Sequence, residues 1–212
     1  MTLNLTIGVL LTLAAYFLGS IPTGYMLGRS LKGIDIREHG SGSTGATNVL
    51  RTVGKSAAIA TLLIDLLKGS LALILVNAIY NSSSGELLPA AWHPWLIIVT
   101  ALAAIFGHSK SLWLNFTGGK SVATTLGVLL VMNPVVALAT LGSFGIVLGI
   151  SRIVSLSSIC GAIAVNILML ALHQPLAYCI FAAIAGVYVI VRHQTNIQRL
   201  IAGVEPKIGQ AL

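Results

Sequence analysis

Apolar residues in this chain do not alternate; they run. Seven stretches, roughly 4–28, 54–79, 94–108, 119–132, 134–150, 154–172 and 175–191, are apolar with few interruptions. A helix crossing a bilayer core needs about 20 mainly apolar residues. Inside lipid its backbone groups must bond within their own segment. The runs therefore predict an all-α integral membrane protein with seven transmembrane helices, built as a single polytopic domain over residues 1–212. The third and fourth runs are short, so one of them is expected to be tilted or partly re-entrant. Asn133-Pro134 marks a tight link between the fourth and fifth. The first run has no basic stretch before it and continues toward Arg29, so it reads as a span rather than a cleaved signal.

Charge then orients the spans. No Lys or Arg precedes Arg29, and the first connection holds Arg29, Lys32, Arg37, Arg51 and Lys55. The segment from Asn77 to Trp95 holds none. Lys110 and Lys120 flank the next connection, Asn133-Pro134 has none, Arg152 follows, and His173-Gln174-Pro175 has none. Arg192, Arg199 and Lys207 close the chain. This alternation predicts the N-terminus outside and the C-terminus in the cytoplasm, with Trp92 and Trp95 at the outer interface. Only 8% of the 212 residues are charged and 56% are hydrophobic, against about 25% charged in soluble domains. The net charge of +7 does not point to nucleic acid, because the cations are few and dispersed. Anionic lipid head groups and phosphorylated substrates fit it better. Cys160 and Cys179 sit in separate runs without CxxC spacing and read as small buried residues. No His, Cys or carboxylate set has metal-ligand spacing, so no metal and no cofactor are expected. Gly24/Gly28 and Gly145/Gly149 are GxxxG pairs that permit close helix approach.

The chemistry is concentrated in a few polar clusters. Gly40 to Asn48 is rich in glycine and hydroxyls and leads to Arg51. Such a backbone can wrap phosphate and an arginine can fork onto it, although a flexible loop with a positive-inside arginine has the same composition. Gly118-Gly119-Lys120 follows Gly107-His108 at the start of an apolar run. Two glycines let N–H groups approach an anion, while an interfacial turn with a snorkelling lysine is the plainer alternative. The GxxxxGK[ST] spacing is absent, so nucleotide hydrolysis is not indicated. Asp65 and Lys68, at i and i+3 inside the second run, read first as a mutually neutralising structural pair. His193 and Asn196 lie one turn apart just past the last run. The chain has no His-x4-Asp dyad and no GxSxG elbow.

Together these segments resemble the bacterial acyl-phosphate:glycerol-3-phosphate acyltransferase family nearly end to end. The resemblance is carried by Gly19-Ser20-Ile21-Pro22-Thr23-Gly24-Tyr25, by Ser41 to Arg51, and by Asp65-x-x-Lys68-Gly69. It continues through Gly107-His108 to Thr124, Arg192-His193-x-x-Asn196-Ile197-x-Arg199, and Gly203, Glu205 and Pro206. It implies a bacterial inner-membrane enzyme with its active site at the cytoplasmic face. The reaction implied is transfer of an acyl chain from acyl phosphate to the 1-hydroxyl of glycerol 3-phosphate. The products would be 1-acylglycerol 3-phosphate and phosphate, the first step of phospholipid synthesis. Functional coupling to the enzyme that makes acyl phosphate is a further implication. By motif match, Ser41, Arg51, Lys120, His193 and Asn196 would hold glycerol 3-phosphate, with His193 and Asn196 orienting the attacking hydroxyl. Thr47, Asn48, Gly118, Gly119 and Lys120 would surround the donor phosphate. Asp65, Lys68, His108 and Glu205 would support them.

The chain departs from the family pattern at Ser43 (usually asparagine), Ser111 (proline), Thr117 (lysine) and Ser121 (glycine). Ser121 would be strained if its backbone needs positive φ. The main rival reading is a transporter of a phosphorylated metabolite. Against it, the spans carry little polar besides Asp65 and Lys68, and no inverted repeat is present. A non-catalytic scaffold for anionic lipid is a third reading.

Overall fold

The computed structural model describes residues 2–82 and 87–210. Among them the regular structure is helical: α1 Thr2–Ser20, α2 Thr23–Lys32, α3 Ala46–Thr52, α4 Lys55–Ser82, α5 His93–Ser109, α6 Val122–Met132, α7 Pro134–Ser151, α8 Val154–Ala171, α9 Leu176–Arg192 and α10 Gln194–Ile201. Short 3₁₀ turns cover Ile36–Glu38, Ala90–Trp92 and Leu112–Leu114. The β pairing present is an isolated bridge between Ser111 and Thr117.

Five segments are long and apolar enough to cross a membrane: α1–α2, α4, the stretch Ala90–Ser109, α7 and α8. A sixth is made if α9 and α10, bent 60° at His193, count as one. The shorter apolar helix α6 has 11 residues. At 1.5 Å per residue it rises about 16 Å, roughly half a hydrocarbon core. The irregular chain leading into it is tolerated where protein covers it, as at Leu114 and Ser121.

The first apolar run is two helices, not one. Pro22 has no N–H to continue the ladder, so α1 ends at Ser20 with carbonyls left over. Ser20 O accepts from Ser111 Oγ at 2.6 Å, and Ile21 O accepts from Lys68 Nζ at 2.8 Å. The break is thus satisfied by side chains about 90 and 47 residues away.

Contacts run α5–α4–α6–α7–α8–α9 and return from α9 to α5, with α1 against α4 and α5. Leu73, Val76, Ile97, Ile105, Leu129 and Phe181 are fully buried within this arrangement. Glycines set the closest approaches. A Cβ on Gly69 would fall on Thr124 O, and one on Gly127 on Leu66 O, so α4 and α6 touch backbone to backbone. Gly19 against Ala104 and Gly107 against Tyr16 do the same for α1 and α5. The GxxxG pairs behave differently. Gly145 and Gly149 face open space on α7, where Ile146 and Ile150 are also exposed, and Gly24 packs on the Thr44 carbonyl and the Val49 side chain of the short helix α3 rather than on another span.

Candidate active site

The α2–α4 connection, the α5–α6 connection and the α9–α10 bend meet at one end of the bundle. Gly33 closes α2 in the left-handed conformation, donating to Arg29 O and Gly28 O. Asp35 then caps the 3₁₀ turn, accepting from Arg37 N at 3.0 Å and from the Arg37 guanidinium at 2.6 and 3.0 Å. Those bonds hold the Asp35 carboxyl down at about 2, against the cost of burial. Arg37 also reaches Leu114 O and Thr117 Oγ1, both at 3.4 Å, and so ties the first polar segment to the second.

Asn48 organises the first polar segment from inside. It is buried. Its Nδ2 donates to Ile36 O, His39 O and Ser43 O at 2.9–3.1 Å, and its Oδ1 accepts from Ser41 N at 2.9 Å. Both N–H donors are engaged, so Asn48 shapes the loop. Gly40 packs against its Oδ1 and has φ 58°. Ser41, Thr47 and Arg51 are half-buried on the same segment. The Arg51 side chain forms no hydrogen bond or ion pair among the described residues and lies within electrostatic reach of Glu205 and Arg199.

The second polar segment is held from both sides. Gly119 N donates to His108 O at 3.2 Å, and a Cβ on Gly118 or Gly119 would fall on His108. The two glycines are therefore needed for contact with α5. Arg192 NH2 donates to Gly119 O at 3.1 Å and Gly118 O at 3.4 Å from the opposite side. Ser121 then starts α6 at φ 63°. The anticipated strain is present, and Ser121 Oγ offsets part of it by donating to Ile105 O at 2.8 Å. Ser111 likewise uses its side chain, which a proline could not, to hold Ser20 O.

A hydrogen-bonded chain leads from there to the C-terminal tail. Lys120 Nζ donates to Asn196 Oδ1, and Asn196 Nδ2 donates to Glu205 Oε1 at 2.6 Å. Glu205 also accepts from Ser155 Oγ at 2.7 Å and Arg199 Nε at 2.6 Å. Burial works against its charge, but the three bonds outweigh it and hold the carboxyl below its usual range. Lys120 is pushed down to about 8, chiefly by burial, with Arg199, Arg192 and Arg51 adding repulsion and Glu205 opposing them. Lys120, Arg51 and Arg199 thus lie within reach of one carboxylate and Arg192 within reach of Lys120, an excess of positive charge that favours an anion. His193 is buried at the bend, and its Nδ1 lies 2.7 Å from Val189 O. A carbonyl only accepts, so Nδ1 carries a proton and Nε2 of the neutral ring presents a lone pair. Beside this site, Arg37, Glu38, Lys110, Thr117, Gly118 and Arg192 help line an open groove of about 460 Å³.

Asp65, Lys68 and His108 are not part of the cationic chain. They form a separate buried cluster under the second polar segment. Arg192, Arg199 and Ser155 belong to the site although the sequence did not single them out as binding residues. Both arginines flank His193 and Asn196 and passed as positive-inside charges; Ser155, on α8, had no distinguishing signal.

Comparison with known proteins decides among the readings of such an anion site. The model of a family described as "Glycerol-3-phosphate acyltransferase" matches residues 9–203. The chain belongs to the glycerol-3-phosphate acyltransferase family. A relative of that name from Rippkaea orientalis is 67% identical over 203 residues, covering 96% of this chain and 94% of its own. The solved structure of PlsY (YgiH), described as an integral membrane glycerol 3-phosphate acyltransferase in its glycerol 3-phosphate form, aligns with a TM-score of 0.86 at 34% identity. It covers 95% of this chain and 96% of that one. The same protein's lysophosphatidic acid form aligns at 0.80 and 33% identity, covering 95% of each. This acyltransferase is accordingly a multi-pass integral membrane protein.

Proposed function

We propose that the chain transfers an acyl group from acyl phosphate to the 1-hydroxyl of sn-glycerol 3-phosphate, releasing 1-acyl-sn-glycerol 3-phosphate and phosphate. The observation that carries this reading is the set of Arg51, Lys120, Arg192 and Arg199 around the Lys120–Asn196–Glu205 chain. In the proposed arrangement Ser41, Arg51 and Lys120 bind the phosphate of glycerol 3-phosphate. Thr47 and Gly118-Gly119-Lys120 flank the donor phosphate, and Asn48 keeps the loop in shape. His193 Nε2 accepts a hydrogen bond from the 1-hydroxyl, and Asn196, held by Lys120 and Glu205, orients it.

The chemistry asks for little more than this. Acyl phosphate is a mixed anhydride, so its carbonyl is already activated and phosphate leaves readily. The hydroxyl oxygen attacks that carbonyl, the carbon–oxygen bond to phosphate breaks, and the hydroxyl proton ends on a phosphate oxygen. Catalysis then rests on positioning and on cations facing developing charge. The donor approaches from the membrane, and the enzyme lies in the bacterial inner membrane with seven spans, counting α6. Its N-terminus is outside, and the site and C-terminus are cytoplasmic. Coupling to the enzyme that makes acyl phosphate follows from the donor's lability.

The test is purified protein given palmitoyl phosphate and radiolabelled glycerol 3-phosphate, with palmitoyl-CoA as the parallel donor. Labelled lysophosphatidate is expected from palmitoyl phosphate alone. Product from palmitoyl-CoA alone would overturn the donor assignment. Accumulation of intact label in sealed vesicles without product would favour transport. His193→Ala is expected to lower saturated turnover; a variant that lost only affinity for glycerol 3-phosphate would remove His193 from the reacting hydroxyl.

A further inference from the structure

Asp65, Lys68 and His108 are buried, with 2, 3 and 7% of their surface exposed. None of the proposed chemistry uses them. Asp65 Oδ1 lies 2.8 Å from Lys68 Nζ and 3.6 Å from His108 Nδ1. A buried ion pair is a poor source of net stability, because desolvation consumes most of the attraction. Its placement is the informative part.

Two members of the cluster touch different parts of the site's frame. Lys68 Nζ donates to Ile21 O, the carbonyl freed where Pro22 breaks the first span. His108 O accepts the Gly119 N–H, and the His108 ring lies directly under Gly119, where a Cβ would meet Nε2. Thr44 of the first polar segment and Ser111 of the second line the same spot, with no water-sized cavity left among them. The α1–α2 break, α4, α5 and both polar segments therefore converge on three ionisable side chains.

We infer that Asp65, Lys68 and His108 are positioning residues that set the Gly118-Gly119-Lys120 segment relative to the Gly40–Arg51 segment. Lys68 anchors the break, Asp65 pairs with Lys68 and packs beside the His108 ring, and His108 supports the glycine pair. The short contacts of Lys68 to Asp65 and Ile21 O, and of Gly119 N to His108 O, fix distance and direction, whereas apolar packing tolerates sliding. The anion site then inherits its spacing from the membrane-embedded helices beneath it. The kinetic readout rests on the acyl-transfer reading; the binding readout does not.

The test compares the charge-balanced variant Asp65→Asn with Lys68→Met, and His108→Ala with His108→Gln. Three quantities are read on purified protein: thermal unfolding, the stabilisation produced by added inorganic phosphate, and kcat and KM for glycerol 3-phosphate. The charge-balanced variant leaves no unpaired buried charge, so it is expected to unfold near the parent temperature. Its kcat/KM is expected to fall about tenfold or more, the scale of a misplaced substrate, and phosphate to stabilise it less. His108→Gln, which keeps bulk and a donor under Gly119, is expected to recover part of what His108→Ala loses. Parent-like phosphate stabilisation and kcat/KM in the folded charge-balanced variant would overturn the inference. So would equal losses in the two His108 variants, which decide the matter should the charge-balanced variant fail to fold. If the parent protein shows no acyl transfer yet binds phosphate, the reaction assignment falls and the phosphate readout still judges the positioning role.

Discussion

Lys120 is where burial, charge and binding meet. With its pKa near 8, the free ammonium is charged below that pH and loses its proton above it. An anionic substrate binds the charged form, so kcat/KM for glycerol 3-phosphate is expected to decline as pH rises through about 8. Bound phosphate stabilises the ammonium, so the decline in kcat should lie at higher pH. A pH profile of both parameters checks this. Lys120→Arg keeps charge but replaces the compact ammonium that donates to Asn196. A shaped phosphate site should lose activity by roughly two orders of magnitude, whereas a charge-only lipid site would not. Ser121 offers a separate residue-scale test. Its left-handed backbone costs about 1–2 kcal/mol for a residue with a Cβ, and its bond to Ile105 O returns about 1 kcal/mol. Ser121→Gly should be nearly neutral in thermal unfolding, while Ser121→Ala, keeping the strain without the bond, should destabilise by about 1 kcal/mol.

Elements are held in place by where glycine sits, not by how often it recurs. Gly127 abuts the Leu66 carbonyl, and backbone cannot yield as a side chain can. Gly127→Ala should force α4 and α6 apart, costing about 1–3 kcal/mol and lowering activity, because α6 begins next to Lys120. Gly145→Ala, with nothing within 4 Å, should be neutral or slightly stabilising through helix propensity. Parallel melting curves of the two variants separate contact from motif. The sequence showed the GxxxG pairs, but that spacing has no memory of which helix lies opposite. The same limit applied to the first apolar run. Pro22 was visible, yet whether the chain broke there depended on partners for the freed carbonyls, and these were Ser111 and Lys68.

For the whole molecule, the proposed orientation places the α4–α5 connection outside and the C-terminal tail inside. With Cys160 and Cys179 replaced, a cysteine at Ala91 should react with an impermeant maleimide in intact cells, and one at Lys207 only in inverted vesicles. The opposite labelling would reverse the orientation. What the sequence determined by itself was the membrane class, the helical nature of the chain, the family, and the places where polar chemistry interrupts lipid-facing segments. Hydrophobic length and short motifs are one-dimensional quantities, so they can be read from order along the chain. What only the tertiary structure decided was which polar residues meet. Lys120 and Asn196 are 76 positions apart, and Ser155 and Glu205 are 50 apart. Asn48 matched a binding motif, yet its amide is committed to the loop. Arg192 and Arg199 resembled topology charges, yet one grips the glycine pair and the other holds Glu205. A hydrogen bond needs its partners within about 3 Å, and for distant residues that proximity arises only when α4, α5, α6, α9 and the tail are packed together.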